Sequence, residues 1–193
     1  MNENKLKGKD LINIGIYAAL TCVVITAVSM IGFVPFLLPM IGIIAPLIAG
    51  VPLMLFMTKV RKFGMITIMG TILGAFLWVT GMGYWPCLIG IVCGLIADLV
   101  CKSGKYNSPV KAMIAHGFLS ITYFGCLLPL YLNADAYFAT RQGFGAEYIE
   151  VVTGIVQPWT MPVLILGGFV AGIIGGWIGQ KLLKKHFTPA GII

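Results

Sequence analysis

The chain is predicted to be an all-α integral membrane protein: a six-transmembrane-helix bundle with both termini cytoplasmic. Three observations predict it. Of 193 residues, 59% are hydrophobic and 10% charged, with a mean hydropathy of +0.99. That leaves too little polar surface to cover a water-soluble core of this size. The apolar residues gather into six runs of about twenty residues, the length that crosses a hydrocarbon layer as a helix. Finally, every lysine and arginine except Arg141 falls on the same side once those runs are threaded back and forth.

The first run, roughly residues 11–33, follows the basic head "MNENKLKGKD". The head suggests a signal peptide, but the apolar run continues for about twenty residues with no small-x-small cleavage site, so it is read as a retained span. Inside it, "GIYAALTC" sets Gly15 and Ala19, or Ala18 and Cys22, four residues apart. Small residues at this spacing share a helix face and admit a neighbouring backbone, from within the bundle or from another subunit. "GFVPFLLP" punctuates the passage to the second run, at about 37–57, and "TKVRKFG" the passage to the third, at about 64–82. "TGMGYWP" precedes the fourth run, at about 85–101, and "CKSGKYNSP" the fifth, at about 110–131.

The sixth run, about 156–181, contains "LGGFVAGIIGGWIGQ". Gly168, Gly172 and Gly176 recur every fourth residue, and so do Gly167, Ala171, Gly175 and Gly179, which predicts close helix packing. Residues 1–193 read as one transmembrane domain.

Orientation follows from the cations. Lys5, Lys7 and Lys9 precede the first run; Lys59, Arg61 and Lys62 follow the second; Lys102, Lys105 and Lys111 flank the connection after the fourth; Lys181, Lys184 and Lys185 follow the sixth. Basic loops stay in the cytoplasm, so the net charge of +7 is a topology signal and lends no support to a nucleic-acid partner. The bilayer itself is the expected large partner.

Between the fifth and sixth runs lies an outer connection of roughly 132–155, "YLNADAYFATRQGFGAEYIEV" at its heart. It holds Asp135, Glu147 and Glu150, half of the six acids in the chain, with Arg141. Loops this long act as lids, or here as an interfacial helix with its aromatics on the headgroups. We read it as a lid in which Asp135, Arg141 and Glu147 are the functional charges. Three acids against one arginine tilt the mouth negative and favour a cationic ligand.

Catalytic material is sparse. Asp98 is the one acid and His116 the one histidine within the runs, each as compatible with a structural hydrogen bond as with a relay. There is no HExxH, GxSxG, P-loop or carboxylate pair. Five cysteines without a CxxC pair read as buried free thiols. No metal, cofactor or enzymatic activity is expected. The outer ends of the runs, by contrast, collect Trp78, Tyr84, Trp85, Tyr123, Tyr131, Gln157 and Trp159, with the polar Thr26, Ser29, Thr80, Asn133 and Thr160 beside them. A lipid-facing aromatic belt accounts for some, yet the inner ends carry only Tyr17, Tyr106 and Trp177. The asymmetry predicts an outward pocket for a small ligand, lined by Trp78, Tyr84, Trp85, Tyr123, Asn133, Gln157 and Trp159. Broken backbone at "GMGYWP" and "VQPWTMP" is expected to border it.

This layout resembles the substrate-binding S components of energy-coupling factor (ECF) transporters. The stretches "KLKGKDLINIGIYAALTCVV" and "GLIADLVCKSGKY" look more specifically like the MptD-type (Trep_Strep) family of S components, and the resemblance spans essentially the whole chain. It implies capture of a vitamin- or nucleobase-like micronutrient from outside. It also implies docking through an Ala-x-x-x-Ala motif, here Gly15…Ala19 or Ala18…Cys22, onto a transmembrane coupling subunit joined to two ABC-type ATPases. ATP hydrolysis in those partners would then topple the subunit and deliver its ligand. A stand-alone secondary carrier, or a membrane-embedded enzyme using His116 or Asp98, are the competing expectations.

Overall fold

The computed structural model describes residues 5–187, and among them it is helical throughout, with no strand. Helix α1 spans Gly8–Ser29 and tightens into a 3-10 turn at Met30–Phe33. A second 3-10 turn, Pro35–Leu37, leads to α2, Ile41–Lys59. Helix α3, Met65–Leu77, ends in a widened turn at Trp78–Met82; α4 covers Trp85–Ser103. Helix α5, Pro109–Ser120, passes into a 3-10 stretch at Ile121–Cys126 and the short α6, Leu128–Leu132. Helices α7, Ala134–Ala139, and α8, Ala146–Ile155, follow, and α9, Thr160–Leu182, completes the bundle.

Five of these helices, with their terminal turns, are long and apolar enough to cross a membrane: those beginning at Gly8, Ile41, Met65, Trp85 and Thr160. The predicted fifth span differs. Residues 109–132 form a broken rod, α-helix then 3-10 then α-helix: Pro129 opens the last piece with no N–H to continue the ladder, and Gly125 lies so close to Pro86 that a methyl there would meet the Pro86 Cα at 2.7 Å. The second span starts later than expected because Pro35 and Pro39 fold "VPFLLP" into tight turns. Similarly, the sixth begins at Thr160, past Pro158. The expected outer loop is two helices, α7 and α8.

The six rods close a ring: α1 packs on α2, α2 on α9, α9 on α5, α5 on α4, α4 on α3, and α3 back on α1. Lipid tails supply no hydrophobic drive between helices, so contact rests on backbone proximity. Glycine permits it here. On α9, Gly168 and Gly179 lie against Gly42 and Gly50 of α2, while Gly172 and Gly176 face Gly117 and Met113 of α5. A methyl on Gly172 would sit 2.8 Å from the Gly117 Cα. The α3–α4 seam is built alike, with Gly74 against Cys87. Small residues are thus the packing code of three seams, α9–α2, α9–α5 and α3–α4.

Two buried polar groups tie the ring. Asp98 of α4 caps the N-terminus of α3: its Oδ2 accepts from the Thr67 hydroxyl at 2.6 Å, the Thr67 amide at 2.8 Å and the Gly64 amide at 3.0 Å. Helix α3 has no cap of its own, and Gly64 enters it at φ 97°, so the neighbouring helix meets its free N–H groups. His116 of α5 donates from Nε2 to the Pro46 carbonyl of α2 at 3.0 Å. One end of the bundle is basic and cross-linked, by Lys62–Asp10 at 2.6 Å, Arg61–Asn107 at 3.2 Å and Gln180 to the Pro109 carbonyl at 2.7 Å.

Candidate functional site

At the end opposite the basic one, the helices part around a cavity of about 410 Å³. Its walls come from the last turns of α1 (Ile25, Thr26, Ser29) and the 3-10 turn after it (Met30), the first turn of α2 (Ile41, Gly42) and the end of α3 (Phe76, Leu77). Two stretches of irregular helix complete the wall: Thr80 and Met82 from the widened turn, Tyr123 and Cys126 from the 3-10 stretch. Backbone that departs from the α-helix at membrane depth survives only where protein or a cavity accommodates it, and both breaks border this one.

Over the cavity lies the α7–α8 segment, contributing Tyr137, Arg141 and Phe144. It is anchored rather than loose. Tyr137, Phe138, Tyr148 and Val152 are buried with Leu130 in a small core of their own, and the Phe144 and Tyr148 rings stack at 4.2 Å. Asn133 begins α7 by accepting from the Ala136 amide at 2.9 Å. The Tyr148 hydroxyl donates to the Gly32 carbonyl, joining α8 to the end of α1. Burial pushes the Tyr148 phenol up to about 12, so it stays a neutral donor throughout the physiological range.

Arg141 is the second anchor. Its Nη2 donates to the Gly81 carbonyl at 2.8 Å, across to the α3–α4 turn, and its Nη1 to the Tyr137 carbonyl at 2.9 Å and the Thr140 hydroxyl at 3.0 Å. The guanidinium carbon stands 3.9 Å from the centre of the Tyr137 ring, a cation–π distance. Phe33, Arg141 and Phe144 also border an outer depression of about 480 Å³, so they stand between it and the cavity. On another side, Thr26, Met30 and Phe76 are shared with a cleft of about 380 Å³ between α1 and α3.

Of the residues predicted to bind a ligand, Tyr123 lines the cavity, and of the predicted lid charges, Arg141 does. The others do not. Trp78 and Trp159 are 54% and 70% exposed on the outside of the bundle, and Tyr84 is exposed with its ring stacked on half-buried Trp85. Leu77 faces inward, so Trp78, one residue and about 100° further round α3, points away. Asn133 serves as a helix cap, and the Gln157 amide bonds the Thr153 carbonyl at 2.7 Å. Asp135 and Glu147 lie exposed in the first turns of α7 and α8, where acids suit the helix dipole. The expected acidic mouth therefore does not face the cavity; the one charge in its wall is positive. "VQPWTMP" contributes nothing to the lining, whereas the turn within "GMGYWP" does.

Tyr137 and Phe144 escaped the sequence reading. Tyr137 lies in α7, whereas Arg141 and Phe144 lie in the turn between α7 and α8, so no helical periodicity links the three and only the fold brings them to the cavity.

The two predicted docking registers on α1 separate cleanly. Ala18 is 2% exposed and belongs to the core, so the pair Ala18…Cys22 is not an outer surface; Cys22 lies half-buried in the α1–α3 cleft. Gly15 and Ala19 are exposed on the outer face, beside Ile12, Ile16 and Leu20. No group of His, Cys, Asp and Glu able to hold a metal exists among the described residues.

Residues 8–188 match a family described as hypothetical bacterial integral membrane protein (Trep_Strep). No curated protein and no solved structure matches the chain.

Proposed function

The chain belongs to the Trep_Strep family of bacterial multi-pass membrane proteins, and we propose that it is the substrate-capture subunit of an ATP-driven ECF importer. The observation that carries this reading is the roofed cavity of about 410 Å³ at the end opposite the basic loops. Its volume lies in the range of small-molecule sites, and its wall is mostly apolar with a few polar groups, the usual composition of such a site. The rule that basic loops stay in the cytoplasm supports an orientation with the cavity on the outer side and both termini inside. The α7–α8 segment then acts as the lid through which an organic micronutrient enters and is enclosed.

Delivery requires a partner. The chain has no nucleotide-binding motif, so the free energy comes from two ABC-type ATPases joined through a transmembrane coupling subunit. The Gly15…Ala19 face supports docking of that subunit on α1: a methyl at Gly15 would meet nothing within 4 Å, so this flank is smooth and open. The subunit itself does no chemistry. It reorients in the bilayer with its ligand.

The test is Ala19→Trp in a strain carrying the coupling module. Uptake is expected to fall at least tenfold while ligand retention by the purified chain stays within twofold. Uptake that continues in a strain lacking every coupling subunit and ATPase would sink the proposal and favour a stand-alone carrier.

A further inference from the structure

We propose that the molecule held in the cavity is an organic anion, with an apolar body and a carboxylate that pairs with Arg141. This rests on the capture reading above and narrows it to a ligand class.

Among the described residues, Arg141 is the sole charged side chain in the cavity wall. Among the described residues no carboxylate forms an ion pair with it. The segment carrying Arg141 also carries Asp135, Glu147 and Glu150, and all three are exposed to solvent. Instead, the guanidinium rests on three neutral oxygens, those of Tyr137, Thr140 and Gly81. These bonds hold its position without neutralising its charge. They also use three of its five N–H groups and leave two for a ligand. A half-buried cation bounded by aromatic and aliphatic side chains attracts an anion more strongly than it would in bulk water, because the local dielectric is lower. The same field repels an amine.

The rest of the lining sets the body of the ligand. Phe33, Phe76, Phe144 and Leu77 make the wall predominantly apolar. Tyr123 adds a second polar point from the bundle side: it is 5% exposed, and its hydroxyl has no hydrogen-bond partner. A buried hydroxyl left unpaired is costly, and a ligand heteroatom relieves it. An anion with one further polar atom on an otherwise apolar frame satisfies both points.

The experiment uses the full chain in nanodiscs and native mass spectrometry with matched probes that share a body and differ at one end. Indole-3-propanoate, its primary amide and 3-(indol-3-yl)propylamine form one triplet; the phenyl and n-hexyl analogues form two more. The acid of at least one triplet is expected to bind about tenfold or more tighter than its amide, and the amine weakest. Arg141→Gln brings the acid down to the amide. Arg141→Lys keeps the acid ahead with weaker binding, which separates charge from support of the lid, since both variants lose the planar fork. Tyr123→Phe weakens acid and amide alike, severalfold, without reordering them.

Amides or amines that match the acids, an acid preference untouched by Arg141→Gln, or its loss in Arg141→Lys as well would each overturn the inference and leave the capture reading standing. Binding of no member of any triplet, with no co-purified small molecule in the spectrum, would overturn the capture reading together with it.

Discussion

Replacing Asp98 by alanine removes one oxygen on which three donors converge, the Thr67 hydroxyl and the amides of Gly64 and Thr67. All three are then left without a protein acceptor at the start of α3. Each lost bond to a charged acceptor is worth about 1.5–3 kcal/mol, and water entering the space left by the side chain recovers part of the sum, for a net cost of about 3–5 kcal/mol. Asparagine keeps an acceptor oxygen in nearly the same place. It forfeits only the charge-assisted part of each bond, and it avoids burying a carboxylate whose Oδ1 has no partner. That variant should cost about 1–2 kcal/mol. The assay is thermal unfolding in detergent, followed by thiol exposure of the buried Cys93 and Cys101. At about 2–4 °C per kcal/mol for a chain of this size, Asp98→Ala should lower the midpoint by roughly 6–20 °C and Asp98→Asn by roughly 2–8 °C. Uptake by Asp98→Asn should follow its folded fraction. An alanine variant as stable as the parent would refute the capping argument. Loss of uptake in a stably folded Asp98→Asn would refute the structural role altogether and make Asp98 an ion-coupling group.

Glycine seams give a paired prediction: Gly74→Val, where even a methyl would sit 2.6 Å from the Cys87 Cα, should destabilise by at least about 2 kcal/mol, while Gly15→Ala, with open space, should not move the midpoint. Tyr148→Phe removes the tether to Gly32 and should weaken lid closure by about 1 kcal/mol, seen as a roughly fivefold faster ligand off-rate in a stopped-flow chase. Trp78→Ala and Trp159→Ala should leave ligand affinity within about threefold, because both rings lie outside, whereas Phe144→Ala in the roof should cost about tenfold or more; equal losses in all three, measured by equilibrium binding, would return the pocket to the outer aromatics.

Much of the architecture was readable along the chain because membrane spanning is a one-dimensional problem. An apolar run either is or is not long enough for the hydrocarbon, and a lysine stays where hydration is cheap. Five of the six expected runs therefore stand as apolar helices long enough to cross a membrane, with those at Ile41 and Thr160 starting later than expected. The break at Ile121–Cys126 had a local signal in Gly125 and the following Pro129, but the close seam between Gly125 and Pro86 exists only in the fold.

Depth and direction are different coordinates. Composition placed the aromatic residues near one end of the bundle, the end at which the helices part around the cavity. Which ring faces a ligand and which faces lipid depends on the rotation of each helix about its axis, and that rotation is set by where the glycines of α9, α3 and α4 meet their neighbours. So Trp78 and Trp159 turned outward and Thr26, Tyr123 and Tyr137 inward. Arg141 shows the same division: its isolation among acids was plain in the string of letters, but its sign dominates the cavity only because α7 and α8 fold with Asp135, Glu147 and Glu150 toward water. Hydrophobic length and charge are sums over neighbours in the chain, whereas the facing of a side chain is decided by contacts between residues far apart in it, and those exist only once the ring of helices has closed.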